Sequence, residues 1–222
     1  MAVAKRSASG GRLQDSGARQ AALSAPATVS AAPSIPMPTA LIIIDVQRAL
    51  FDTTDTQPAP ADAPDVLDRI NALAERARQA GAPVIYVQHE APGSALAHAE
   101  PGWELDPRLR PAPNDMRVRK TTPDSFLRTT LGQTLSDLGV TAVAVCGYAT
   151  EFCVDTTVRR AAALGFAVTI AADAHTTHDK AHASGAQIRA HHNATLPAIT
   201  SFGVKIVALP AADVRFEGGA AS

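Results

Sequence analysis

The stretch Val143-Ala144-Val145-Cys146-Gly147-Tyr148-Ala149-Thr150-Glu151-Phe152-Cys153-Val154-Asp155-Thr156-Thr157 places a cysteine where a buried strand hands over to a helix. Four small or β-branched apolar residues lead into Gly147, a tight segment follows, and the Ala- and Arg-rich run from Cys153 to Leu164 stops at Gly165. The pattern reads as strand, turn, helix. A thiol at the start of a helix meets unpaired N–H groups and the positive end of the helix dipole. The expectation is therefore a depressed thiol pKa and a reactive Cys153.

Working outward, Ala40-Leu41-Ile42-Ile43-Ile44 is a continuous apolar run ending in Asp45-Val46-Gln47, as expected of a parallel strand buried on both faces. Ligands of open α/β sheets bind at the carboxyl ends of strands, so Asp45 is read either as a functional carboxylate or as a cap or turn aspartate. Phe51 and Asp52 fall in a loop. A helix starts near Pro64, with Asp62 and Asp65 at its positive end; Val66, Ile70, Leu73 and Ala77 form its apolar face, and Gly81 and Pro83 end it. Val84-Ile85-Tyr86-Val87 is the next strand and delivers Gln88, His89 and Glu90 to the same edge. His89 is read as a substrate contact or as a structural histidine.

Residues 91–115, rich in Pro and Gly, form a long irregular segment expected to set specificity. Trp103 within it either walls a pocket or simply packs. Met116 to Lys120 alternates as a short strand, and Thr122-Pro123 predicts the N-cap and first turn of a helix whose apolar side is Phe126, Leu127 and Leu131. Lys120 alone would be a solvated lysine; beside Asp45 and Cys153 it gains a role. Leu135, Leu138 and Gly139 close another helix, and Phe166–Ala171 and Val204–Leu209 complete the strands. The alternation predicts an α/β fold: a three-layer α/β/α, doubly wound, mostly parallel six-stranded sheet.

The chain has 222 residues, enough for one well-buried core, and a formal net charge of -1 with no basic excess that would point to nucleic acid. A small-molecule partner is expected. No apolar run approaches the ~20 residues of a membrane span. Two cysteines, Cys146 in a core strand and Cys153 after it, make a poor disulfide framework and suggest a reducing, cytoplasmic setting. Residues 1–38 carry Lys5, Arg6, Arg12 and Arg19 against Asp15 without periodicity. They read as a disordered tail ahead of one domain over 39–222; an organellar presequence shares that composition, whereas a secretory apolar core is lacking.

His175, His178, His182, His191 and His192 crowd one region. His178 and His182 are spaced to share a helix face, yet no recognised ligand motif accompanies them, and His191-His192-Asn193 reads as a helix C-terminus. No metal is expected. Neither the glycine-rich dinucleotide fingerprint nor the Walker phosphate loop follows any strand, so no cofactor is expected either.

Asp45, Lys120 and Cys153 stand on three strand ends, and together with Ala149-Thr150-Glu151-Phe152-Cys153-Val154 they make residues 39–210 resemble the isochorismatase-like cysteine hydrolase superfamily. The resemblance implies an Asp45-Lys120-Cys153 triad in which Asp45 takes the thiol proton, Lys120 stabilises the ionised pair and Cys153 attacks a carbonyl. An amine then leaves, and water hydrolyses the thioester. It also implies a cis peptide at Tyr148-Ala149, an oxyanion hole from the N–H groups of Ala149 and Cys153, and assembly into homo-oligomers. Phe51, His89, Trp103, Phe126, Tyr148 and His175 are the candidates for the substrate pocket.

Gln88-His89-Glu90-Ala91-Pro92 departs from the metal-binding pattern of nicotinamidases, and the presence of Cys153 departs from isochorismatases that cleave a vinyl ether. Asp173-Ala174-His175-Thr176-Thr177 with His191-His192-Asn193 is similar to a branch that includes streptothricin hydrolases, which suggests an amide, lactam or ureido bond as the target. Three alternatives stand beside this reading: an ether hydrolase with an incidental cysteine, a non-enzymatic small-molecule binding protein of the same fold, and a papain-like pairing of Cys153 with His175.

Overall fold

The computed structural model describes residues 38–216. The expected N-terminal tail, apart from Pro38, lies outside the described residues. Six strands, β1 (Thr39–Ile44), β2 (Val84–His89), β3 (Met116–Lys120), β4 (Ala142–Tyr148), β5 (Ala167–Thr176) and β6 (Ile206–Leu209), form one sheet in the order β3-β2-β1-β4-β5-β6. Every pairing is parallel. The doubly wound α/β expectation holds, and the sheet is wholly rather than mostly parallel.

The order reverses between β1 and β4. In open parallel sheets that switch point opens a crevice at the carboxyl ends of the strands.

The reason these apolar runs become central strands is visible in β1, where all six residues are buried. Leu41 and Ile43 face one core with Val66, Leu67, Ile70 and Leu73 of α2 (Ala63–Gln79). Ala40, Ile42 and Ile44 face the other, with Leu131 and Leu135 of α3 (Leu131–Asp137) and Val158, Ala161 and Ala162 of α4 (Asp155–Ala163). Two-sided burial removes the polar half of the usual alternation, and each buried aliphatic side chain stabilises the fold by about 1.5–3 kcal/mol. A single turn, α1 (Arg48–Phe51), follows β1, and α5 (Gly185–Thr195) precedes β6. The Ser184–Gln187 capping box starts α5.

Four local expectations are corrected. The helix predicted from Thr122-Pro123 does not form: residues 121–130 are bends and turns, and α3 starts only at Leu131. Asp124 Oδ1 accepts from the N–H groups of Phe126 and Leu127, which offers the backbone a local alternative to the helix, and Arg128 takes a positive φ of 58°. The helix expected from Cys153 begins instead at Asp155, preceded by a π-helical turn, Thr150–Val154. His178 and His182 share no helix face, because the chain between β5 and α5 is a loop. Strand β5 runs to Thr176, so His175 is a strand residue.

Gly147 stands where β4 closes on the end of β1. It pairs with Ile44 beyond a register shift, at φ 113°. A Cβ there would lie 2.1 Å from the Ile44 carbonyl oxygen, which is backbone and cannot step aside. Gly147→Ala is expected to destabilise the protein by roughly 3 kcal/mol or more, read from the midpoint of urea unfolding. An unchanged midpoint would contradict the packing described.

Candidate active site

At the end of β1 the chain turns at Asp45, which takes a positive φ of 52°, a conformation Asp tolerates better than most residues. Its N–H bonds back to the Val87 carbonyl, so the turn stays tied to β2. Lys120 is the last residue of β3 and pairs with His89 at the end of β2. Its stem passes across that strand and brings the ammonium to the switch point. There Lys120 Nζ lies 2.7 Å from Asp45 Oδ2, 3.2 Å from Cys153 Sγ and 3.3 Å from His89 Nδ1. Asp45 and Lys120 are 1% and 2% exposed, so this ion pair is cut off from solvent. Asp45 Oδ1, also buried, has no hydrogen-bond partner among the described residues and is a ready acceptor for a proton.

The thiol is pushed up to about 12, first by burial and then by the Asp45 carboxylate, with Lys120 pulling in the opposite direction. The expected depression by a helix N-terminus is thus corrected. Cys153 lies inside the π-helical turn rather than on the first turn of α4, and desolvation outweighs any dipole. At neutral pH the resting sulfur carries its proton. Cys146 is fully buried and its thiol is likewise raised by burial.

The peptide Tyr148-Ala149 is cis. Beyond it, the N–H groups of Phe152 and Val154 both bond to the Ala149 carbonyl, whereas among the described residues the N–H of Ala149 donates to no protein acceptor. A free backbone donor therefore sits at the start of the turn that carries the thiol.

The remaining candidates divide by place. His89 is half-buried, its pKa lowered by burial and then by Lys120, so Nδ1 accepts from the ammonium as neutral imidazole. Tyr148 is partly buried; its hydroxyl lies 2.8 Å from His178 Nδ1 and its ring meets Phe51 edge-on at 5.8 Å. Trp103 packs edge-on against His98, and its carbonyl accepts from the side chains of both Gln47 and Gln88.

Phe126 belongs to the core behind the sheet, stacked on Phe166 at 6.0 Å. His175 is 1% exposed, with Nδ1 taken by Thr150 and Nε2 by Asn193, and burial lowers its pKa to about 4. With both of its nitrogens engaged elsewhere, His175 is no partner for Cys153 in a papain-like pair.

Sequence reasoning missed two residues. Gln47 is fully buried and clamps the end of β2, accepting from His89 N and donating to the carbonyls of His89 and Trp103. The only signal was a polar residue two positions after a strand-end aspartate. His178, on a loop, reaches Tyr148 from a position that no periodicity marks. His182, His191 and His192 line a cavity of about 400 Å³ with Glu151. Among the described residues no three His, Cys, Asp or Glu are grouped to hold a metal ion.

Residues 39–201 match the isochorismatase domain family. Two curated relatives are streptothricin hydrolases of Streptomyces noursei. One is 45% identical over 141 residues, covering 63% of this chain and 50% of the relative; the other is 40% identical over 182 residues, covering 82% and 69%. The chain thus spans only half the length of the first. A crystal structure of an isochorismatase family protein superposes with a TM-score of 0.68 at 35% identity, over 77% of this chain and 97% of that one.

The electrostatics give an unusual expectation for alkylation by iodoacetamide, which needs only thiolate. Cys153 reacts far faster than the sealed Cys146, and its rate keeps climbing above pH 9 because the folded pKa is raised. Asp45→Asn removes a group that holds the pKa up and leaves the Lys120 charge that lowers it, so alkylation at pH 7 should rise several-fold, up to about tenfold per pKa unit. A slower reaction in that variant would contradict the electrostatics of the site.

Proposed function

The chain belongs to the isochorismatase family, and on that premise we propose that it is a cysteine-dependent hydrolase cleaving a C–N bond of a small molecule. The target is an amide, lactam or ureido group, and the route passes through a thioester on Cys153. The observation that carries the reading is the buried Lys120 ammonium in contact with both the Asp45 carboxylate and the Cys153 sulfur. The streptothricin hydrolase relatives support a small-molecule substrate.

The chemistry follows from the charges. A thiol held neutral needs a base at the moment of attack. Asp45 accepts the proton as Sγ adds to the carbonyl carbon, and Lys120 stabilises the carboxylate beforehand and the sulfur while charge develops on it. The carbonyl oxygen, now anionic, is received by the N–H groups of Ala149 and Cys153, an arrangement in which each donor is worth about 10²–10³ in rate. Collapse breaks the C–N bond, and the departing nitrogen takes the proton from Asp45. Water then attacks the thioester with Asp45 again as base, releasing the acid and restoring the thiol.

The same reading treats the protein as a cytoplasmic homo-oligomer acting on a free small molecule, without nucleic acid, membrane or cofactor. Among the described residues no helix is long and apolar enough to cross a membrane. An ether hydrolase would have no use for a sulfur placed against the ammonium.

The test is a panel of amides, lactams, ureido acids and isochorismate, followed by ammonia release and product mass. We expect C–N hydrolysis that survives exhaustive chelation and falls by about a thousandfold or more in Cys153→Ala, with the unfolding midpoint retained. Full activity in the alanine variant would remove Cys153 as nucleophile. Isochorismate cleavage that persists in that variant would favour the ether hydrolase, and a folded protein inert across the panel would favour a binding protein.

A further inference from the structure

We propose that Thr150, His175 and Asn193 form a positioning relay that locks the oxyanion-binding turn to the scaffold, so that its integrity governs stabilisation of the tetrahedral oxygen rather than nucleophilicity of the thiol. The inference rests on the hydrolase reading above and goes beyond it, because none of the three residues touches the triad.

The chain of contacts is continuous. Asn193, on α5, donates from Nδ2 to the Ala172 carbonyl at 2.8 Å, and its Oδ1 lies 2.9 Å from His175 Nε2. His175 Nδ1 lies 2.9 Å from the Thr150 hydroxyl. Thr150 and His175 are 0% and 1% exposed.

The polarity is determined by the far end. A backbone carbonyl only accepts, so the Asn193 amide nitrogen must face Ala172 and its oxygen must face the ring. Nε2 therefore carries the hydrogen, Nδ1 presents its lone pair, and Thr150 donates. One tautomer satisfies every partner, and burial keeps the ring neutral.

The near end is the turn itself. Thr150 directly follows Ala149, whose N–H is unfilled, and precedes Cys153, the other donor of the proposed oxyanion site, by three residues. Within the turn, the Phe152 and Val154 N–H groups hold to the Ala149 carbonyl, and the Thr150 hydroxyl adds a lateral anchor to β5 and α5. Two buried polar side chains, Thr150 and His175, and a half-buried Asn193 used merely to fill space would be costlier than apolar ones of the same shape. Their arrangement end to end, finishing at the oxyanion donors, is what a support for a preorganised site needs.

Two probes separate the effects. Iodoacetamide alkylates Cys153 by displacement at carbon and builds no oxyanion. An aldehyde adds reversibly: the Sγ–C bond forms, the carbonyl π pair moves onto oxygen, and the thiol proton passes to Asp45, leaving an alkoxide in the oxyanion site. Protection of Cys153 against iodoacetamide by acetaldehyde, propionaldehyde and benzaldehyde therefore reads the turn, while the alkylation rate without aldehyde reads the thiol.

In Thr150→Val, which removes only the hydroxyl at nearly constant shape, and in His175→Gln, half-protection should need about tenfold more aldehyde, with unprotected alkylation within about twofold of wild type. Thr150→Ser, which keeps the donor, should stay within about threefold. Unaltered protection in a folded Thr150→Val protein overturns the relay, as does a fall in alkylation rate that matches the loss of protection. A wild-type protein that is alkylated at Cys153 yet protected by none of the aldehydes contradicts the hydrolase reading, and the relay with it; protection that survives Thr150→Val contradicts the relay alone.

Discussion

The Lys120–Asp45 ion pair is the constraint around which the site is organised. Both charges are buried, and removing each from water costs several kcal/mol, which a single contact at 2.7 Å offsets only in part. Such a pair adds little net stability to a fold, although deleting one partner would cost about 3–5 kcal/mol by leaving the other charge stranded. Its consequence is chemical. The ammonium directs its remaining donors at Cys153 and His89, and the unpartnered oxygen of Asp45 waits beside a protonated thiol. This is not a preformed thiolate site: burial and the Asp45 carboxylate hold the proton on the sulfur of the resting protein.

The fold supplies the three corners from separate strands. Asp45 leaves β1 through a positive-φ turn, Cys153 follows β4 on the other side of the switch point, and Lys120 reaches over β2 from the edge strand. Gly147 lets β4 press against the end of β1, Gln47 holds the end of β2 to the segment carrying Trp103, and the Thr150–His175–Asn193 chain ties the cysteine turn to β5 and α5. Asp45, Lys120 and Cys153 are held at or just beyond strand ends of a parallel scaffold, while Phe51 on α1, Tyr148 at the end of β4 and His178 on a loop meet beside them.

Much of this was legible in the residues, for identifiable reasons. Strands buried on both faces read as unbroken apolar runs, so Ala40–Ile44 and Val143–Cys146 declared themselves, and in a parallel sheet the residue after such a run falls at the ligand edge. Asp45, Lys120 and Cys153 could therefore be placed together before any coordinates. What could not be read was anything decided by distant partners. Thr122-Pro123 looks like a helix start, but the Asp124 carboxylate captures the local N–H groups. Cys153 looks like a helix-activated thiol, but its burial beside Asp45 reverses the shift. The fifth strand reads as ending before His175, and Gln47 and His178 act through contacts 42 and 30 residues away.

Covalent capture of the intermediate is the most direct measurement. Rapid acid quench of the wild-type protein during turnover of whichever panel compound it hydrolyses, followed by peptide mass spectrometry, would reveal a thioester before water removes it. The expected result is the acyl mass of the substrate on the peptide containing Cys153, forming and decaying no more slowly than turnover. Steady hydrolysis with no adduct on Cys153, or with the adduct on another residue, would contradict it.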